Sequence, residues 1–155
     1  MSTRHYLLVF SLDGQRYALN LASVDRVIHA VEMISLPKVS GIILGLINLQ
    51  GQVFPVLDLR KQLGLPEREV QLTDHLIIAH TSRWKVALVV NTVHAVIEQS
   101  EQEVLAAKKI FRGIENISGI VKLEENIILI HDLEKAISID EEQTLAKALR
   151  EKSED

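Results

Sequence analysis

A β-hairpin with a capped turn behind it is written twice into this chain, and that repetition limits the folds open to it. In Gly45–Leu63 two apolar runs, Leu46–Leu49 and Val53–Leu57, flank Gln50-Gly51-Gln52. β-Rich residues on both sides of a short glycine-containing loop predict a tight hairpin. Pro55 lacks the N–H that a ladder needs, which confines it to a sheet edge or a bulge. Asp58 stands where a helix N-cap belongs, Gly64 can close the short turn Leu59–Leu63, and Pro66 stops it. The same order recurs 74 residues on: Gly45–Leu49 lies over Gly119–Leu123, Val53–Leu63 over Ile127–Ile137, and Asp58-Leu59 over Asp132-Leu133. Upstream the offset is 69, with Tyr17-Ala18-Leu19 over Val86-Ala87-Leu88 and Val24–Ile28 over Val93–Ile97. Apolar strands align easily by chance, but two segments matching in one order at nearly one offset predict a duplication, each half burying a face the other would expose.

With 155 residues, the chain suits one domain or two intimate subdomains. A net charge of −4 disfavours wholesale binding to phosphate backbones or an anionic membrane surface. Having no cysteine, it can form no disulfide framework, thiolate metal site or cysteine nucleophile. No apolar run approaches a membrane span, and Tyr6–Phe10 reads as a first strand rather than a signal segment. A soluble, cytoplasmic protein is expected.

Tyr6–Leu12 and Arg16–Leu21 form an opening hairpin about Asp13-Gly14. Leu21–Asp25 is a short turn and Arg26–Val31 is extended. Pro37 holds Leu36 extended, and Ser40-Gly41 marks a bend. His75–His80 and Trp84–Val90 are the second half's opening hairpin, turning at Thr81-Ser82-Arg83, and Val93–Ile97 follows. Over Ser100–Ile110 the local rules favour a helix, through the Ser100-x-x-Glu103 capping box. Asp140–Lys152 is a clearer helix, with Ser138-x-x-Glu141 as its box. The halves run about 6–65 and 75–138, joined by a charged linker over 66–74 and followed by a helix over about 140–152.

Reactive chemistry finds little footing. His75 and His80, five apart in a strand, point to opposite faces. His29, His94 and His131 occupy separate repeat positions without clustered acids, so all read as surface or satisfied interior histidines. Asp58 and Asp132 could be imagined as a catalytic dyad, but serve more simply as caps. Gly41-x-x-x-Gly45 lacks the Lys and Ser/Thr of a phosphate loop. Aromatics are only 4% of the chain, and Phe10, Tyr17, Phe54 and Trp84 fall in strand-core positions, which argues against base stacking. No cofactor or metal is implied. A binding module remains.

The chain resembles the CheW family of chemotaxis adaptors. The matching residues are Phe10-x-Leu12-x-Gly14-x-x-Tyr17-Ala18-Leu19, Val24-x-x-Val27-Ile28, Leu36-Pro37 and above all Gly45–Arg60, with Ala87–Val93 and Gly119–Leu133 in the second half. The resemblance runs over nearly the whole chain, about Tyr6–Ile137. It implies a mainly β fold of two five-stranded, SH3-like barrels side by side, each drawing strands from both halves, in one CheW-like domain over 1–155. For Ser100–Ile110 it implies a single turn and then extended chain, which is preferred over the local reading.

By the same resemblance the protein is not an enzyme. It couples the cytoplasmic tip of a methyl-accepting receptor to the regulatory domain of a CheA-type histidine kinase, with no nucleic acid and no membrane insertion. The receptor helix is implied to lie in an apolar groove involving Val24, Arg26, Gly45, Asn48, Gln50, Leu76 and Val96. For Val24, Leu76 and Val96, plain core packing is the competing reading. Leu57, Leu63, Ile130 and Ile137 are candidates for the kinase contact. Two positions depart from the family: Gln50 stands where it usually has Arg, and Arg26 where it usually has Glu. Those family residues form an ion pair beside the groove; here an Arg26–Gln50 hydrogen bond could replace it. Milder departures are Ser40 in place of a second proline and Asn91 where Asp is favoured. Alternative readings are a CheW-like scaffold for another kinase pathway such as pilus motility, a small nucleic-acid-binding barrel, and a hydrolase built on the Asp and His residues.

Overall fold

The computed structural model describes residues 4–36, 41–100 and 117–153. The expectations for Pro37, Ser40 and 101–110 therefore lie outside the described residues. Within them the chain forms β1 (Arg4–Leu12), β2 (Gln15–Asn20), a 3-10 turn at Leu21–Ser23, β3 (Val24–His29), β4 (Ile34–Ser35), β5 (Ile43–Leu49) and β6 (Gln52–Leu57). After the linker come β7 (His75–His80), β8 (Lys85–Val90), β9 (Thr92–Ser100), β10 (Ile117–Leu123), β11 (Asn126–His131), a 3-10 turn at Leu133–Lys135 and helix α1 (Ile139–Ser153).

The turns follow the sequence chemistry. Asp13 and Gly14 have φ of 50° and 82°, and Gln50 and Gly51 of 53° and 86°, the paired positive values that a two-residue hairpin requires. Asn48 Oδ1 accepts the Gly51 amide at 2.9 Å and closes that second loop. After β6, Asp58 Oδ1 accepts the Arg60 amide at 3.0 Å, so it caps a turn as expected. The turn is not a helix, although Gly64 (φ 72°) and the Leu65 amide bonded to the Arg60 carbonyl end it as a Schellman motif would. Asp132 differs from its counterpart: its side chain caps nothing. The Ser138–Glu141 box forms in both directions, Ser138 N to Glu141 Oε1 at 3.1 Å and Glu141 N to Ser138 Oγ at 3.2 Å.

Two sheets result. Sheet A has the order β10-β11-β2-β1-β9 and sheet B the order β3-β7-β8-β6-β5-β4. Read from the other end, β5-β6-β8-β7-β3 repeats sheet A position for position, with β4 added outside. Each sheet joins strands of the two halves twice, through one parallel pair (β11 with β2, β6 with β8) and one antiparallel pair (β1 with β9, β3 with β7). Pro55 is tolerated in β6 because the β8 ladder reaches only Val56 and Leu57. Sheet B holds six strands rather than five, and neither ladder closes on itself among the described residues. Sheet B is nevertheless curled. Five residue steps from His29 to Ile34 span at most about 18 Å, whereas the outer strands of a flat six-stranded sheet stand about 24 Å apart.

Alternation in the strands sorts the apolar side chains into three cores. Leu7 and Val9 join Ala18, Val121, Ile128 and Ile130 inside sheet A. Leu76, Ile78, Ala87 and Val89 join Ile47, Phe54 and Val56 inside sheet B. The intervening residues, Leu8, Phe10 and Leu12 of β1 and Ile77, Ala79, Val86, Leu88 and Val90 of β7 and β8, meet in a shared core between the sheets. Strands buried on both faces read as continuous apolar runs, as β1, β7 and β8 do. Leu145 plugs α1 into the shared core. Glu141 Oε2 accepts the Ile42 amide at 2.8 Å, while Glu142 accepts from Arg83 at 3.0 Å and Trp84 Nε1 at 3.4 Å, fastening the start of the helix to sheet B.

Candidate functional site

The proposed groove residues divide between surface and interior. Val24, Arg26 and Leu76 share the β3–β7 ladder, with Val24 opposite Ala79, Arg26 opposite Ile78 and Leu76 opposite Ile28. Of these only Arg26 is exposed; Val24 packs partly against the shared core, and Leu76 belongs to the core of sheet B. Val96 lies on β9 of the other sheet, opposite Leu8, and is 49% exposed. Its repeat counterpart Val27 on β3 is also exposed, so both edge strands offer an apolar side chain to solvent. Asn48 and Gln50 are exposed at the β5–β6 hairpin. No hydrogen bond joins Arg26 to Gln50 among the described residues.

Gly45 admits a close neighbour, as its residue type suggested, but that neighbour is in the same chain. A Cβ there would stand 2.2 Å from the Ile34 carbonyl oxygen of β4 and 3.0 Å from Met33 Cγ. Gly45→Val is expected to push β4 from β5 and cost about 1–3 kcal/mol, as overpacking does, measured as a drop in urea midpoint. An unchanged midpoint would show that β4 yields freely and that the fold does not need glycine at 45.

The four kinase candidates do not form a surface. Leu57 is fully buried, Ile130 and Ile137 are buried, and Leu63 packs partly against the shared core. Their two corners instead face each other: Gln62 Nε2 donates to the Ala136 carbonyl. Residues 62 and 136 are repeat counterparts, so like meets like, as across a two-fold interface.

A polar cluster that the sequence reading passed over lies beside the shared core. Arg60 is 1% exposed. Its Nη2 donates to Asn91 Oδ1 at 3.1 Å and lies 3.7 Å from Asp13 Oδ1, while Nη1 reaches Asp58 Oδ1 at 3.5 Å. Asn91 continues the network, accepting the Asp13 amide at 2.8 Å and donating to Asp74 Oδ1 at 3.3 Å. Arg68 holds Asp74 at 2.6 Å. Burial pushes the Asp74 carboxyl up, but hydrogen bonds from Arg68, Gln71 and Asn91 outweigh it and leave the group below its ordinary value. The cluster binds the β1–β2 turn of sheet A to the β6 corner of sheet B. Its one legible signal is an arginine set between the apolar residues Leu57, Leu59 and Leu63.

The histidines do not converge. His75 Nδ1 lies 3.1 Å from the Asn91 carbonyl and its ring sits 4.9 Å from that of His29, tilted by 37°, whereas His80 Nδ1 pairs with Asp25 at 3.0 Å. His131 is 3% exposed, and neither ring nitrogen has a hydrogen-bond partner among the described residues. No group of three or more His, Cys, Asp or Glu among the described residues could hold a metal ion.

Two sheets around a shared core, with apolar side chains on the edge strands β3 and β9, define a protein-binding module. The CheW-like domain model matches residues 6–141. The chain belongs to the CheW-like family. It is 30% identical over 149 residues to the chemotaxis protein CheW of Bacillus subtilis (strain 168), covering 93% of this chain and 94% of that one. It is 28% identical to CheW of Thermotoga maritima, covering 84% and 86%. The structure of the scaffolding protein TtCheW from Thermoanaerobacter tengcongensis superposes with a TM-score of 0.78 at 28% identity, covering 90% of this chain and 96% of that one.

Proposed function

We propose that this chain is a non-enzymatic cytoplasmic adaptor coupling the tips of methyl-accepting chemoreceptors to the regulatory domain of a CheA-type histidine kinase. The observation that carries this reading is the pair of like-ordered sheets sharing one core, the architecture of a scaffolding protein named CheW. Val96, Arg26, Asn48 and Gln50 are the exposed members of the receptor surface in this reading. An interface of roughly 800 Å² per partner or less exchanges readily, and avidity in an array supplies the holding strength. Titration calorimetry against a CheA-type regulatory domain and a receptor-tip helical hairpin tests it. Saturable binding to both is expected, with Val96→Asp weakening the receptor arm alone by tenfold or more, about 1.4 kcal/mol. Absence of binding to either partner sinks the proposal.

Arg26 and Gln50 favour a finer reading, in which the receptor-facing surface is tuned to a more acidic partner than the family's usual one. Arg26 is an exposed cation, and no ion pair engages it among the described residues. Complementary charge across an interface selects partners and raises association rates. Arg26→Glu with Gln50→Arg is therefore expected to move preference toward receptor tips with basic contact residues, read as a reversed ranking in a competition pull-down. An unchanged ranking across a panel of tips removes the idea of tuning.

A further inference from the structure

We infer that His131 is an acid-operated latch between the two sheets. Its repeat counterpart is Leu57, fully buried in the shared core, so a titratable ring occupies a place where the other half puts a leucine. A neutral imidazole carries one donor and one acceptor, and here neither finds a partner among the described residues. The imidazolium carries two donors, which this interior leaves equally unmet.

A cavity of about 250 Å³ borders the ring and gives the charged form somewhere to go. The titratable groups lining it are His5 from β1 and, just beyond β11, Asp132 and Glu134, with Lys135 standing 4.0 Å from Asp132. Asn20, Ser23 and Ser118 supply the remaining polar wall. Two carboxylates at the cavity favour an imidazolium that turns toward them.

Glu134 is already engaged elsewhere. Its carboxylate accepts the Ser82 amide at 2.6 Å and the Ser82 hydroxyl at 2.9 Å. Ser82 lies in the β7–β8 turn of sheet B, whereas Glu134 follows β11 of sheet A, so this clamp crosses between the sheets. Protonated His131 draws Glu134 into the cavity and frees Ser82. Acid then loosens the turn while the cores remain packed, and it alters how the sheets are held together.

The test is a pH titration by NMR of the whole chain, following the His131 ring proton and the Ser82 backbone amide in the wild type and in His131→Leu. In the wild type the two signals are expected to move with one midpoint, well below that of a free histidine, and the Ser82 step is expected to vanish in the variant. An identical Ser82 step in His131→Leu overturns the latch, because the turn would then respond to acid without the ring. Where the variant does not fold, the wild type still decides. A shared midpoint supports the coupling, and a Ser82 amide that moves independently of the His131 ring refutes it.

Discussion

Arg60→Ala is expected to lower unfolding stability by about 3–5 kcal/mol, the range for breaking a buried ion pair by removing one member. The guanidinium is 1% exposed and stands among Asp58, Asp13 and the side-chain oxygen Oδ1 of Asn91, with Asp58 itself buried. Without it the Asp58 carboxylate keeps its burial and loses its counter-charge, and Asn91 loses the donor that fixes its amide. Urea denaturation at neutral pH measures the effect. Arg60→Met with Asp58→Asn should recover much of the loss, because paired replacement strands no charge. Equal destabilisation in single and double variants would instead make the side chain's volume the important quantity. A loss under 1 kcal/mol would mark the pair as behaving like an exposed one.

The same cluster shows what the sequence could and could not disclose. Strand positions were legible because their causes are local: Asp13-Gly14 and Gln50-Gly51 supply the positive φ their hairpins need, and short continuous apolar runs mark β1 and β7 as strands buried on both faces. The strand exchange between halves was available only through the family resemblance, because nothing local tells β2 to pair with β11. The same limit applied to Gly45. Its residue type announces a close approach, but β4, which makes that approach, has two residues and no periodic signal of its own.

The burial of Leu57, Ile130 and Ile137 has a related reason. Leu57 and Ile130 sit at apolar strand ends, where sequence alone does not distinguish an outward corner from one packed against its own counterpart. Gln62 on Ala136 resolves that only once both halves are in place. Val96 and Val27 carry the opposite lesson. Both have the residue type of a core position, yet both are exposed on edge strands, where an apolar side chain can serve a partner.

Lowering the pH from 7 to 4 is expected to remove about 3 kcal/mol of stability through His131 alone. Burial drives the imidazole from 6.5 down to about 4, and the neighbouring Asp132 charge, which favours the proton, offsets only part of that. The folded state therefore binds a proton less readily than the unfolded chain. Above pH 6.5 both states are neutral at this residue and its contribution is complete. Between 6.5 and 4 the unfolded chain takes up a proton that the fold refuses, so stability falls with pH, at about 1.4 kcal/mol for each unit between the two values. Asp74 titrates in a different window. Its folded carboxyl lies below 3.8, so the stability it contributes is present above that value and is lost only as the pH falls further. Urea midpoints at pH 7, 5.5 and 4 separate the two groups. The wild type should lose stability across all three, whereas His131→Leu, which restores the residue found at the equivalent Leu57, should hold its midpoint through the same range. A variant that declines in parallel with the wild type would move the acid sensitivity to another group and show that the His131 ring is already solvated through the adjoining cavity.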